Sequence, residues 1–259
     1  MMLKKSLAFM CLLIMLPITA YAQQWQAESG GKQKAVIELF TAEGCGLCPA
    51  AERWLHQLPE QDITDEHMIV LGFHVDYLDD KKNWVDKFAK PLFSERQRQL
   101  ARLNLYQTVF TPEFFISGEV VYNWRDHGIE AIEFINDFDA EADIKLHAEK
   151  KHEQLRITAN VDVTGDDNRQ YAKFYLALTE NNIISEIKGG DNIGATFNHQ
   201  NLVRRWLGPF ALDANGRTHI EAEIELADDW KQQDLTIVAV VQNLNDGYTL
   251  QGLALPLTK

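Results

Sequence analysis

Hydrophobic and polar positions follow two different periods along this chain. Residues 34–41 hold the run Ala35-Val36-Ile37-Glu38-Leu39-Phe40, apolar over strand length, and predict a buried strand. Beyond the Gly44 turn, Ala51, Trp54, Leu55 and Leu58 recur at helical spacing and predict a helix over residues 49–58. Residues 68–75 form a second apolar run of strand length, and Leu100, Leu103 and Leu105 lie in a predicted helix over residues 94–106. Residues 113–117 and 119–122 read as two short strands joined at Gly118, followed by a helix over residues 129–138 carrying Ile132, Ile135 and Phe138. The order β-α-β-α-β-β-α predicts a layered α/β unit whose final hairpin supplies an antiparallel edge.

After about Asp139 the period changes to two. Leu155, Ile157, Ala159, Val161 and Val163 alternate with polar positions, as do Ala172, Phe174, Leu176 and Leu178, and again Ile220, Ala222, Ile224 and Leu226. Residues 235–241 and 250–257 continue the texture. Turn signals at residues 165–168, Asn181-Asn182, Asn215-Gly216 and Asn245-Asp246-Gly247 separate the runs, predicting an antiparallel sandwich of roughly seven short strands. Residues 23–140 and 141–259 are therefore expected as two units, and without a low-complexity linker they are expected to pack together.

The composition fits this picture: 259 residues, 46% apolar and 24% charged, describe a globular chain and exclude disordered and collagen-like classes. The net charge of −13 argues against nucleic acid and anionic membrane surfaces as partners. Residues 1–22 open with Lys4 and Lys5, continue through an apolar stretch and close on Ala20-Tyr21-Ala22, the pattern of a secretory signal peptide cut after Ala22. The apolar stretch is shorter than the roughly 20 residues a membrane span needs. The expected product is periplasmic or secreted, with no stable membrane anchor.

Of the three cysteines, Cys11 falls in the leader, leaving Cys45 and Cys48 in an oxidising compartment. The segment Cys45-Gly46-Leu47-Cys48-Pro49 sits between a predicted strand and a predicted helix, so free N–H groups and the positive end of the helix dipole stabilise a thiolate at Cys45. Cys48, one turn on, is placed to resolve a mixed disulfide formed at Cys45. An inert structural disulfide is the plain alternative, but a loop of about four residues constrains the unfolded chain by only about 2 kcal/mol. Thr111-Pro112 precedes a predicted strand and hairpin, the place where thioredoxin-like folds carry a cis-proline beside the cysteines, so Pro112 is expected cis.

The element order and the Cys-x-x-Cys pair look thioredoxin-like. More narrowly, the chain resembles an exported bacterial family catalogued as a domain of unknown function, through residues 40–49 (Phe-Thr-Ala-Glu-Gly-Cys-Gly-Leu-Cys-Pro), Phe73-His74-Val75-Asp76-Tyr77, Arg96-Gln97 and Phe110-Thr111-Pro112-Glu113. A further block, Gly190-Asp191-Asn192 through His199-Gln200-Asn201-Leu202-Val203-Arg204, resembles the second half of that family. Gly46-Leu47 stands where small hydroxyl residues are usual, and Leu78 where a Trp commonly follows the Asp-Tyr pair. The resemblance implies an α/β thioredoxin-like domain followed by an immunoglobulin-like β-sandwich, and an exported compartment.

His74, Asp76 and Tyr77 end the second predicted strand, at the sheet edge that also holds Cys45. With Thr111 and Glu43 they are candidates to surround the cysteines and move protons to and from them; a hydrogen-bonded strand end is the alternative for the first three. Trp84, Phe88 and Phe93 read as a lid over the cysteines or as packing residues, and His199, Arg204 and Arg205 as an interdomain contact or a substrate site. The leading expectation is a thiol-disulfide oxidoreductase acting on protein or small-molecule thiols and disulfides, with Cys45, Cys48 and Pro112 at its centre. No cofactor and no metal ligand are assigned. The rival readings are a copper- or zinc-handling protein using Cys45, Cys48 and His74, because soft sulfur with one imidazole suits such ions, and a binding module with a structural disulfide.

Overall fold

Strand β1 (Gln23–Glu28) opens the computed structural model, which describes residues 23–79 and 83–258; the expected signal segment, residues 1–22 with Cys11, lies outside the described residues. Its alternating exposure suits a sheet edge with one wet face. β2 (Ala35–Thr41) and β3 (Met68–His74) are buried at every position and run parallel, as strands covered on both faces must read. Between them, a turn carrying Cys45 leads into α1 (Cys48–Gln57), which continues as a 3-10 turn over Leu58–Gln61. α2 (Pro91–Leu103), the hairpin β4 (Glu113–Ile116) and β5 (Glu119–Val120), and α3 (Trp124–Asn136) complete the first half in the expected order.

The second half is almost entirely strand. β6 (Ala142–Lys151) and β7 (Gln154–Val163) form a hairpin, and the short α4 (Asp166–Tyr171) leads to β8 (Ala172–Glu180). β9 (Ile183–Glu186) and β10 (Thr196–His199) pair with each other, and β11 (Leu202–Ala211), β12 (Arg217–Glu225), β13 (Leu235–Asn243) and β14 (Thr249–Pro256) follow. The result is a mixed α/β fold, mostly sheet with few helices.

An eight-stranded sheet in the order β14-β13-β8-β11-β3-β2-β4-β5 runs through the molecule. Strands from both sides of residue 140 share it, joined where Leu202 lies beside Gly72 in a parallel pairing. The Gly72 N–H donates to the Asn201 carbonyl at 2.8 Å, and a side chain at position 72 would meet that oxygen at 3.3 Å, a close backbone approach that glycine permits. The four-stranded sheet β1-β6-β7-β12 packs on one face of the β13/β8 half, burying Ile144, Leu146, Ile157, Phe174, Leu176 and Ile237 between the layers. On the other half, α1 and α3 cover the face bearing Ile37, Leu39 and Phe114, whereas α2 covers Phe40, Phe73 and Phe115 opposite.

The structure moves several expected boundaries. α2 begins at Pro91, three residues before the expected start, because proline fits the first turn of a helix where N–H groups lack partners. It stops at Leu103 since Leu105 takes a left-handed φ of 62°. α3 starts at Trp124, ahead of the first apolar repeat, and the segment expected as a turn around residues 165–168 opens the helix α4.

Candidate functional site

β2 and β3 end side by side, Thr41 opposite His74, and their carboxyl ends point at the turn that carries the cysteines. Cys45 and Cys48 form a disulfide with their Cα atoms 5.5 Å apart. The helix opens at Cys48, not at Cys45, which sits in the preceding turn with its N–H donating to the Ala42 carbonyl at 3.1 Å. Cys45 is 6% exposed and Cys48 only 1%.

Cys45 lines an open groove of about 800 Å³ with Leu47, Tyr77, Leu78, Phe110 and Thr111. Arg98 contributes a cation to this wall and Asp191 an anion. The Cys45 sulfur lies 3.6 Å from the Thr111 carbonyl oxygen, a separation at which a reduced thiol donates a hydrogen bond, and the Thr111-Pro112 bond is cis. Gln97 fixes this wall from α2: its amide nitrogen donates to the Phe110 carbonyl at 2.7 Å and to Glu113 at 2.6 Å, and its oxygen accepts from the Tyr77 hydroxyl at 3.1 Å. Burial pushes the Glu113 carboxyl above the usual carboxylate range, partly offset by its hydrogen bonds from Gln97 and Tyr106.

The loop between β9 and β10 lies over the cysteine turn. Asn192 donates from one amide nitrogen to the carbonyls of Glu43 and Cys45, each at 2.8 Å, and the Asp191 N–H donates to the Gly44 carbonyl at 3.2 Å. Gly190 holds a φ of +73° with space for a Cβ only 2.8 Å from the Gly44 Cα, so two glycines meet where the loops cross.

A second group of side chains lies behind the turn. His74 Nδ1 is 2.6 Å from Asp86 Oδ2, which also accepts from the Glu43 N–H at 2.9 Å. His199 Nε2 is 3.2 Å from Glu43 Oε1, and the Trp84 indole donates to Glu43 Oε2 at 2.8 Å. Burial alone would lower the His199 pKa, but the Glu43 and Glu52 carboxylates outweigh it and raise the ring to about 9. Glu52 and Asp86 are held below the usual carboxylate range, burial being outweighed by His199 for the first and by His74 for the second.

The residues singled out in the sequence thus divide. Cys45, Tyr77 and Thr111 meet in the groove. His74 and Glu43 belong to the group behind it, and Asp76 turns instead to the Ser94 hydroxyl, which donates to it at 2.5 Å. Among the described residues the His, Cys, Asp and Glu side chains whose ligand atoms converge are Glu52, His74 and His199, without either cysteine. Phe88 and Phe93 pack in the interior, and His199 joins the two halves of the chain through Glu43. Sequence reasoning missed Asp86; Glu52, four positions beyond Cys48 on the same helix, and Asn192, in the Gly190-Asp191-Asn192 block, carried a signal, but not one that named their partners.

Two solved structures share the fold. HBP35 of Porphyromonas gingivalis aligns with a TM-score of 0.66 at 18% identity, over 87% of this chain and 75% of that one. An X-ray crystal structure of a protein from Agrobacterium tumefaciens aligns with a TM-score of 0.61 at 17% identity, over 89% of this chain and 97% of that one. No curated protein matches the chain. The family model described as "Protein of unknown function (DUF1223)" matches residues 36–242, and the chain belongs to that family.

Proposed function

We propose that the protein is an exported thiol-disulfide oxidoreductase of thioredoxin-like type whose second half is an immunoglobulin-like sandwich. The observation that carries the reading is the Cys45–Cys48 disulfide opening onto an apolar groove through Cys45, with the Thr111 carbonyl 3.6 Å from its sulfur. The fold assignment is supported by the order β2-α1-β3-α2-β4-β5-α3, with β2 parallel to β3 and antiparallel to β4. The compartment is supported by the signal pattern of residues 1–22.

In the reducing direction the Cys45 thiolate attacks one sulfur of a substrate disulfide. The substrate S–S bond breaks, its other sulfur leaves as a thiolate and takes up a proton, and a mixed disulfide forms at Cys45. The Cys48 thiolate then attacks the Cys45 sulfur, releases the second substrate thiol and restores the Cys45–Cys48 disulfide. Two electrons pass from the protein to the substrate; the oxidising direction reverses each step. Leu47, Leu78 and Phe110 offer apolar surface to a polypeptide segment around the substrate cysteine.

The test is reduction of a disulfide-bonded polypeptide by the pre-reduced chain. Turnover by the wild type, abolished in Cys45→Ser, supports the reading; equal rates in wild type and Cys45→Ser contradict it and leave the disulfide as a structural link.

A further inference from the structure

The group behind the cysteine turn has a composition that thiol exchange does not use. Glu52 comes from α1, His74 from the end of β3 and His199 from the end of β10, and one ligand atom from each lies within 4.8 Å of the other two. We propose that Glu52, His74 and His199 form a binding site for a divalent transition-metal cation of the zinc type.

Three features of the cluster carry this. First, each imidazole is held on its far side by a buried carboxylate: His74 Nδ1 by Asp86 at 2.6 Å and His199 Nε2 by Glu43 at 3.2 Å. Metal-binding histidines are oriented in this way, the carboxylate fixing the tautomer and raising ligand basicity. The nitrogens left over are His74 Nε2 and His199 Nδ1. Second, His199 Nδ1 is fully buried with no hydrogen-bond partner, 3.5 Å from Glu52 Oε2, while the other Glu52 oxygen is already held by the Thr41 hydroxyl at 3.2 Å. A buried ring nitrogen without a hydrogen-bond partner is expensive; facing Glu52 it is satisfied either by carrying a proton toward that carboxylate or, with the ring neutral, by giving its lone pair to a cation. Third, the carboxylates of Glu43, Glu52 and Asp86 surround two imidazoles, so negative charge remains even with both rings protonated. A dication bound to the neutral rings replaces those two protons charge for charge, so the cluster takes it without added positive charge.

Two nitrogens and one carboxylate are a donor set that zinc takes, with a fourth position left for water or another small ligand. Phe88 packs edge-on against both imidazoles and Phe197 against His199, ring centroids 5.6 Å apart in each case, an apolar shell that limits solvent access. The site stands apart from the thiol reading, since neither cysteine is a ligand.

The experiment titrates the metal-stripped chain, oxidised and then reduced, with Zn²⁺ and, for its visible spectrum, with Co²⁺. The expected result is one equivalent bound by the wild type and equally by the Cys45→Ser/Cys48→Ser double variant, with affinity at least about tenfold weaker in Glu52→Gln and about 10–100-fold weaker in Asp86→Asn. Cobalt should show ligand-field bands without thiolate charge transfer, a signature that holds the proposal to account even if a variant fails to fold. No stoichiometric uptake by the folded wild type overturns the proposal and leaves a cluster that holds a proton only. Binding that disappears with the cysteines, or a thiolate charge-transfer band, overturns it in favour of the sulfur pair.

Discussion

The Cys45 sulfur lies 3.6 Å from the carbonyl oxygen of Thr111, 66 positions further along the chain. Two loops that meet only in the folded protein thus form the two sides of the groove, and under the proposed thiol exchange a substrate disulfide approaching Cys45 would pass over Leu47 and Phe110. Leu47 is 71% exposed, a large apolar side chain left in water beside the cysteine pair.

Replacing Leu47 with Glu should therefore weaken capture of polypeptide disulfides about tenfold, the scale of a partly buried leucine contact, while exchange with glutathione changes little. Rates measured with both substrates check this. Equal losses for both would mean that Leu47 acts on the cysteines and not on the substrate.

Asn192 ties the loop between β9 and β10 to the cysteine turn through the carbonyls of Glu43 and Cys45. Asn192→Ala leaves both carbonyls without this donor and should lower stability by about 1–3 kcal/mol in thermal unfolding. Asn192→Asp should be worse, because it turns an acceptor toward two acceptors. A variant as stable as the wild type would show that the clamp is replaced by water at no cost.

Arg96 forms a two-pronged ion pair with Glu38, at 2.6 and 2.8 Å, and donates to Gln242 at 2.8 Å, with both charged groups buried. The pair links α2 to β2 and β13. Arg96→Ala should cost about 3–5 kcal/mol by stranding the Glu38 carboxylate, and an apolar pair such as Glu38→Leu with Arg96→Met should recover much of that loss. Denaturant unfolding of the single and double variants decides the point.

The elements that could be read in the sequence are those whose periodicity is local. β2, β3 and α1 fell where their apolar runs indicated, and the Cys45-x-x-Cys48 turn needed only nearby residues. β11 escaped notice because Arg204, Arg205, Gly208 and Pro209 interrupt its apolar positions, and register shifts after Val203 and Leu207 break the period of two. β1 was missed too: its short alternating run has meaning only beside β6, more than a hundred residues away. The same distance hid the group behind the cysteines. Glu43 and His199 are 156 positions apart, and Asp86 stands in a charged stretch with no period to mark it. The change of texture near residue 140 marks where alternation begins, while the eight-stranded sheet continues across that point through Leu202 and Gly72.

Glu113 gives the protein a pH dependence. Burial raises its folded pKa above the ordinary value of 4.5. A group raised on folding contributes stability that is fully present below the unfolded pKa and lost as pH rises through the folded one. Glu113→Gln removes this loss, so its stability relative to the wild type should improve as pH rises above the ordinary carboxylate value of 4.5. Unfolding midpoints of both proteins across that rise test it; a constant difference would mean that Glu113 ionises normally.

The thiol reading rests on Cys45 being the sulfur that substrate reaches, and mixed-disulfide trapping measures this directly. The Cys48→Ser and Cys45→Ser chains are reduced, exposed to a disulfide-bonded polypeptide, and mapped by mass spectrometry. Cys45 lines the groove and Cys48 is 1% exposed beneath it, so a stable adduct should accumulate on Cys45 in Cys48→Ser, at least about tenfold faster than on Cys48 in Cys45→Ser. Adducts at equal rates on both, or on Cys48 alone, would contradict the account.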